Sequence, residues 1–261
     1  MRILWRTLPA LMGLLLCGCR PQQPSKQLLV GAAADLQFAL PQILDDFQRL
    51  HKGTAVKATY ASSGSFFALI LNQAPYDVFL SADASYPREL VKRGLADEGT
   101  LFSYAVGRLV VWVPNSSPID VAKLGIEALR DGSVHHIAIA NPLHAPYGQA
   151  AEAALKSFGV YGATQEKLVF GENISQTLQF VQSGAAEIGI VALSLASAPA
   201  VRNSGRYWEV PQSAYPRLEQ VGVIMKSAKD PDTARALRVF LLSPKAQTIL
   251  KQFGFDLPGE R

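Results

Sequence analysis

Four short stretches of the chain carry one kind of chemistry: Ala34-Asp35, Ser62-Ser63-Gly64, Ala145-Pro146-Tyr147-Gly148 and Asn173-Ile174-Ser175. Each is small or polar, holds no lysine or arginine, and stands where an apolar run gives way to a helical pattern. The first turn of a helix exposes amides with no internal partner and the positive end of the helix dipole. A loop that delivers such a turn to a cleft therefore makes an anion site without a fixed charge. The clearest of them opens Glu172 to Gly184, ENISQTLQFVQSG. Asn173 is a strong N-cap residue and Gln176 stands three positions later, at capping-box spacing. Leu178 and Val181, with Ile174 and Thr177, give the helix one apolar side, and Gly184 ends it. Any one such loop is ordinarily a helix cap; four in one chain point to a shared cleft.

Catalysis would need a general acid, base or nucleophile in these loops. They offer the Asp35 carboxyl and the Tyr147 phenol, and no P-loop, glycine-rich nucleotide fingerprint or nucleophile elbow occurs. The expectation is a binding protein with no chemical step and no cofactor. His135-His136 lacks an Asp, Glu or Cys at ligand spacing and reads as a solvated strand start, so no metal cation is expected. His144 lies near the proposed cleft and is expected behind it or exposed. Asp77 and Asp83 read as loop caps, and Trp112, Trp208, Tyr207 and Tyr215 as packing between sheet and helix.

The elements that must position these loops alternate between strand and helix. Leu28 to Ala33, Val56 to Ala61 and Asp77 to Ala82 read as buried strands, each followed by a helical pattern, the first starting close to Gln37. A second block holds Arg108 to Val113, a helix near Val121 to Arg130, and the strand His136 to Ala140. It continues with a helix from Gln149 to Phe158, Leu168 to Phe170, the ENISQ helix and the strand Ile188 to Ala192. One more strand, VGVIM, and two helices close the chain. This order predicts α/β architecture: two lobes, each a mostly parallel sheet flanked by helices, with the cleft outside the carboxyl ends of the strands. The expected division is residues 27–106 and 221–261 for the first lobe and 107–220 for the second, with crossings near Ala105 to Arg108 and Pro216 to Val221.

The N-terminus reads as a targeting segment. Arg2 and Arg6 precede an apolar core from Leu8 to Leu16, and Leu16-Cys17-Gly18-Cys19 resembles the lipobox of bacterial lipoprotein signals. Residues 1–18 would then be removed, Cys19 would carry the lipid, and residues 19–26 would form a tether. Both cysteines lie in this segment, so no disulfide is expected in the folded part. Losing Arg2 and Arg6 lowers the formal net charge from +4 to +2, too mild a balance to imply nucleic acid.

Taken in order, AAADL, ASSGS, APYDVFLSAD, ANPLHAPYG, GENISQ, GAAEIGIVALS and the terminal SPKAQTILKQFGF resemble the periplasmic molybdate-binding proteins of ABC importers, members of the type II binding-protein fold. The resemblance covers residues 27 to 258. It implies a tetrahedral oxyanion, molybdate or tungstate, held by neutral donors. Ser63 would give its hydroxyl and amide, with the amide at Asp35 beside it in the loops that begin at Ala34 and Ser62. Tyr147 and Ile174 would give amides from the second lobe. It also implies a monomer outside the cytoplasmic membrane, periplasmic or at the cell surface, that docks on an ABC permease.

Two positions depart from the family pattern. Ala192 stands where a pocket tyrosine occurs in one branch, and the Tyr147 hydroxyl is expected to replace that donor in part. Asp35 stands where serine or asparagine is usual. A carboxylate about 4 Å from a bound oxyanion would cost roughly 4 kcal/mol per charge pair at an effective dielectric near 20. Asp35 is therefore expected to turn away and cap its own helix, with protonation or a different ligand as the alternatives. Sulfate, phosphate or a small organic anion is the competing ligand class, and an enzyme on the same fold the competing function.

Overall fold

The computed structural model describes residues 26–260. The signal segment, Cys19 and the tether up to residue 25 lie outside the described residues, and Lys26, expected as the last tether residue, opens the first strand.

The first lobe runs β1 (Lys26–Ala33), α1 (Ala39–Leu50), β2 (Thr54–Ala61), α2 (Ser63–Leu71), β3 (Val78–Ser81), α3 (Ser85–Lys92) and β4 (Phe102–Gly107). The chain then builds the second lobe from β5 (Leu109–Pro114), α4 (Val121–Leu124), β6 (Ile137–Ala140), α5 (Pro146–Ser157), α6 (Tyr161–Thr164) and β7 (Leu168–Gly171). That lobe is completed by α7 (Ile174–Gln182), β8 (Ile188–Ala192), α8 (Leu193–Ala196) and β9 (Gly205–Glu209). It returns to the first lobe with β10 (Leu218–Ile224), α9 (Pro231–Leu241) and α10 (Pro244–Gln252).

The sheets have orders β2-β1-β3-β10-β4 and β7-β6-β8-β5-β9. Within each, the first three strands are parallel and the fourth, β10 or β5, runs against its neighbours on both sides. Central strands such as Val78–Ser81, Ile137–Ala140 and Ile188–Ala192 are buried throughout, as strands covered by helices on both faces must be. The helices bury one side each; α1 packs Leu40, Ile43, Leu44 and Phe47 inward.

The crossings between lobes differ from expectation by a few residues. Gly107 and Leu218–Gln220, assigned to the second lobe by sequence, pair with one another in the first sheet, Leu218 opposite Gly107 and Gln220 opposite Ala105. Both crossing segments stay zipped together until the lobe boundary. The register slips between Gln220 and Val221, whose partner is Ser103, so Tyr104 is the extra residue of a bulge. The helix expected over Val121 to Arg130 is broken at Gly125, where φ is +58°, and continues as a 3-10 turn. The strands β4 and β9 were not anticipated. Tyr207, expected to pack inside, lies on β9 at the sheet edge and is exposed.

Candidate functional site

All four sequence-selected loops meet at the junction of the lobes. They line a closed cleft whose free volume is about 10 Å³, space on the order of one water molecule. Its polar positions are Asp35, Ser62, Ser63, Tyr147 and the start of α7 at Ile174; the rest of the wall is alanine and proline, including Ala34. A larger surface hollow, about 390 Å³, surrounds Asp77, Gly94 and Lys226. It lies at the amino end of β3, away from the carboxyl ends of the strands where ligands of such sheets bind.

The helix caps explain which amides face the cleft. At α7, Asn173 Oδ1 accepts from the amides of Ser175 at 2.9 Å and Gln176 at 3.1 Å, leaving the amide of Ile174 at the first position. The Gln176 side chain reaches back to the Glu172 amide at 2.6 Å. At α2, Ser62 Oγ accepts from the Ser65 amide and the Gly64 amide goes to the His144 carbonyl at 2.9 Å, leaving the amide of Ser63. At α5, the Ala145 carbonyl takes the amides of Gly148 and Gln149, leaving that of Tyr147. Pro146 at the first position of α5 starts that helix three residues earlier than expected, so Tyr147 lies in its first turn. Ser63 Oγ accepts from the Ala82 amide at 2.9 Å, and its own proton remains available for donation. Ser63 thus has its hydroxyl oxygen fixed by the fold and its proton and amide left for a ligand, while Tyr147 and Ile174 each leave a first-turn amide.

The lobes are closed on one another. Ser175 Oγ donates to the Ala34 carbonyl at 2.9 Å and Ser194 Oγ to the Asp35 carbonyl at 2.8 Å, both across the junction. At the rim His144 Nδ1 lies 2.9 Å from Ser62 Oγ, and its Nε2 lies 3.5 Å from Glu172. His144 thus stands behind the cleft wall, as expected, and bridges the two lobes there.

Asp35 overturns the capping expectation. The turn Ala34–Leu36 is 3-10, and α1 begins only at Ala39 with no side-chain cap, so the carboxyl is too far upstream to cap it. It is buried, and its Oδ2 accepts from the Tyr147 hydroxyl at 2.9 Å and from Gln220 Nε2 at 2.8 Å. Gln220 Oε1 in turn accepts from the Tyr104 hydroxyl at 3.1 Å. Oδ1 has no hydrogen-bond partner. Burial pushes the Asp35 pKa up to about 7, against the bonds from Tyr147 and Gln220 and the nearby amides of Asp35 and Leu36, which lower it. Burial, followed by the charge of Asp35, holds the Tyr147 and Tyr104 phenols well above their usual range.

Two further readings change. The Tyr147 hydroxyl is spent on Asp35, so it does not take the place of a pocket hydroxyl, and the residue faces the cleft with its amide. Ala192 ends β8, is fully buried, and does not line the cleft. Sequence reasoning missed Gln220, Tyr104 and Ser194. A glutamine inside the apolar run VGVIM's approach strand was the available signal, because a buried amide requires partners. Gly107 was also missed: a Cβ there would lie 2.1 Å from the Tyr147 hydroxyl oxygen and 3.0 Å from Gln220 Nε2, so the crossing needs glycine to admit this network.

His135 and His136 give their backbone amides to Glu187, at 3.0 and 2.7 Å, on the exposed surface. Asp77 ties the start of β1 to the segment after β10 through the amides of Leu29 and Lys229, while Asp83 accepts from the Ser85 amide.

The family model for bacterial extracellular solute-binding proteins matches residues 28–256. The molybdate-binding protein of Azotobacter vinelandii is 37% identical over 245 residues, covering 94% of each chain. That of Rhodobacter capsulatus is 38% identical over 203 residues, 78% of each chain. A solved structure of the Azotobacter vinelandii periplasmic molybdate-binding protein aligns with a TM-score of 0.82 and 34% identity, over 88% of this chain and 99% of that one. Two lobes of matching topology, a cleft of first-turn amides between them, and relatives aligned along most of their length place the chain in the family of bacterial extracellular solute-binding proteins, among its molybdate-binding members.

Proposed function

We propose that the protein captures molybdate, and tungstate with it, outside the cytoplasmic membrane and delivers it to an ABC permease. The observation that carries this reading is the convergence of the Ser63, Tyr147 and Ile174 first-turn amides and the Ser63 hydroxyl on one small cleft without lysine or arginine. Such donors stabilise an oxyanion while leaving no unpaired positive charge when it departs. Selectivity then rests on cleft size and donor geometry. The lobes open and close about the paired crossings at Gly107 and Leu218, and the ligand shifts the population toward the closed form. No chemical step is required, and the protein acts as a monomer. A lipid on Cys19 holds it at the membrane.

Asp35 beside the cleft favours a second reading, because a carboxylate can accept the proton of a protonated oxyanion such as hydrogen phosphate. Calorimetric titration with molybdate, tungstate, sulfate and phosphate at neutral pH separates the two. Tight one-to-one binding of molybdate and tungstate, with no heat from sulfate or phosphate, is expected. Silence with molybdate, or tighter binding of phosphate, would give the cleft to another anion.

A further inference from the structure

Among the described residues Asp35 is the one carboxyl that lines the cleft, and its two oxygens have unequal surroundings. Both side-chain donors in reach are spent on Oδ2, the Tyr147 hydroxyl from α5 and Gln220 Nε2 from β10, and the nearby amides of Asp35 and Leu36 also favour the ionised form. The Tyr104 hydroxyl, from β4, fixes the Gln220 amide by donating to its Oε1, so that Nε2 must face Asp35. Oδ1 is buried and bare. An ionised oxygen without a donor is costly in such a place, and an anion in the same cleft adds like-charge repulsion. A proton on Oδ1 removes both costs, while Oδ2 goes on accepting from both donors.

The surrounding side chains offer no other relief. From α5 and β4 the groups facing the carboxyl are the phenols of Tyr147 and Tyr104, and Tyr215 lies beyond Tyr147. From α7 and α8 come the hydroxyls of Ser175 and Ser194, both spent on backbone carbonyls. His144 is at the rim on Ser62, and among the described residues no lysine, arginine or histidine bonds to the carboxyl. Gln220 and Tyr104 share the first lobe with Asp35, but full burial exists only in the closed form, because Tyr147 and Ser194 belong to the second lobe. Burial outweighs the hydrogen bonds that oppose it and brings the carboxyl to about 7, before any anion is present.

We infer that closing on an oxyanion drives Asp35 to its neutral acid, so that each anion is captured together with one proton drawn from solvent. This rests on the reading of the cleft as an oxyanion site. The balance is simple: open protein with ionised Asp35, a dianion and a proton give closed complex with Asp35 as the acid. In the open form the carboxyl is solvated and titrates near the ordinary value of about 3.9. In the closed complex it titrates above the ligand-free closed value. Between these limits the complex holds the extra proton, so affinity falls as pH rises, by up to tenfold per pH unit. Below the lower limit both forms are protonated and affinity is flat.

The test is calorimetry at pH 8 with molybdate, tungstate and sulfate, in buffers of different ionisation enthalpy. The slope of observed heat against buffer enthalpy counts protons taken up. The wild-type protein is expected to take up close to one per anion and to bind progressively more weakly from pH 6 to 9. Asp35→Asn is expected to show no buffer slope and a flat pH profile. Tyr147→Phe removes a donor that favours the ionised form, so its uptake should persist to higher pH. Saturable binding with no buffer slope in the wild type overturns this inference and leaves the oxyanion site standing. Uptake retained by Asp35→Asn overturns it as well, by moving the proton elsewhere. No binding of any of the three anions overturns the site and the proton linkage together. Should Asp35→Asn fail to fold, the wild-type slope and the Tyr147→Phe profile decide the matter.

Discussion

The two lobes share a strand order, and their site loops correspond. The turn after β1, with Asp35, matches the loop after β6, with Tyr147; the loop after β2, with Ser63, matches that after β7, with Ile174. Their chemistry differs. The second lobe faces the cleft with backbone amides at two full helix starts, α5 and α7. The first lobe offers one such start, at Ser63, and adds side-chain chemistry: a hydroxyl with a free proton and a buried carboxyl. The matched residues Asp35 and Tyr147 bond to each other across the junction. One topology used twice thus supplies a generic amide cradle, and side chains in the first lobe give it a charge state. Side-chain replacements should therefore matter more in the first lobe than in the second.

The sharpest way to break this comparison is to stop the lobes meeting. A Cβ on Gly64 would lie 2.6 Å from the His144 carbonyl oxygen and 2.9 Å from its Cα, both backbone and both in the other lobe. Gly64→Ala is expected to weaken anion binding about 100-fold, at the upper end of the ~1–3 kcal/mol typical of overpacking. The melting temperature of the ligand-free protein should hardly change, since alanine suits a helix and the open form has no collision. Unchanged affinity by calorimetry would mean that the bound form is less closed at this rim.

Ser63→Ala removes the hydroxyl donor and keeps the amide. Loss of a hydrogen bond to a charged group, about 1.5–3 kcal/mol, corresponds to roughly 10- to 100-fold weaker binding. A calorimetric loss under threefold would make the hydroxyl a spectator and the two lobes alike. The smallest effect is expected at the matched position. Ile174→Val leaves the amide in place, so affinity should stay within about twofold, while chemical denaturation should register about 1 kcal/mol of lost stability from the buried methylene. A large affinity loss there would show that the second lobe reads its ligand with side chains after all.

Much of this was open to reading in the chain because its signals are local. The Asn173 and Gln176 pair, the serine run at 62–65 and the stop at Gly184, whose φ is +78°, act within a few residues of themselves. Apolar strand runs likewise declare burial before any partner is known. Boundaries were less legible where local preferences compete. Pro146 can open a helix as well as precede one, and α5 begins there rather than at Gln149. Helix propensity from Val121 onward runs into Gly125 and turns to 3-10.

What the amino-acid order determined on its own was the alternation of elements and the placing of small, uncharged helix starts at the carboxyl ends of strands. Those follow from periodicity and capping, which depend on neighbours in sequence. The fate of Asp35 was a tertiary decision. Its donors come from residues 112 and 185 positions away, through a bulge that brings Tyr104 and Gln220 together and a glycine crossing that admits the Tyr147 hydroxyl. No local rule can report such a meeting, because the cost of burying a carboxyl is set by whatever the closed lobes place around it.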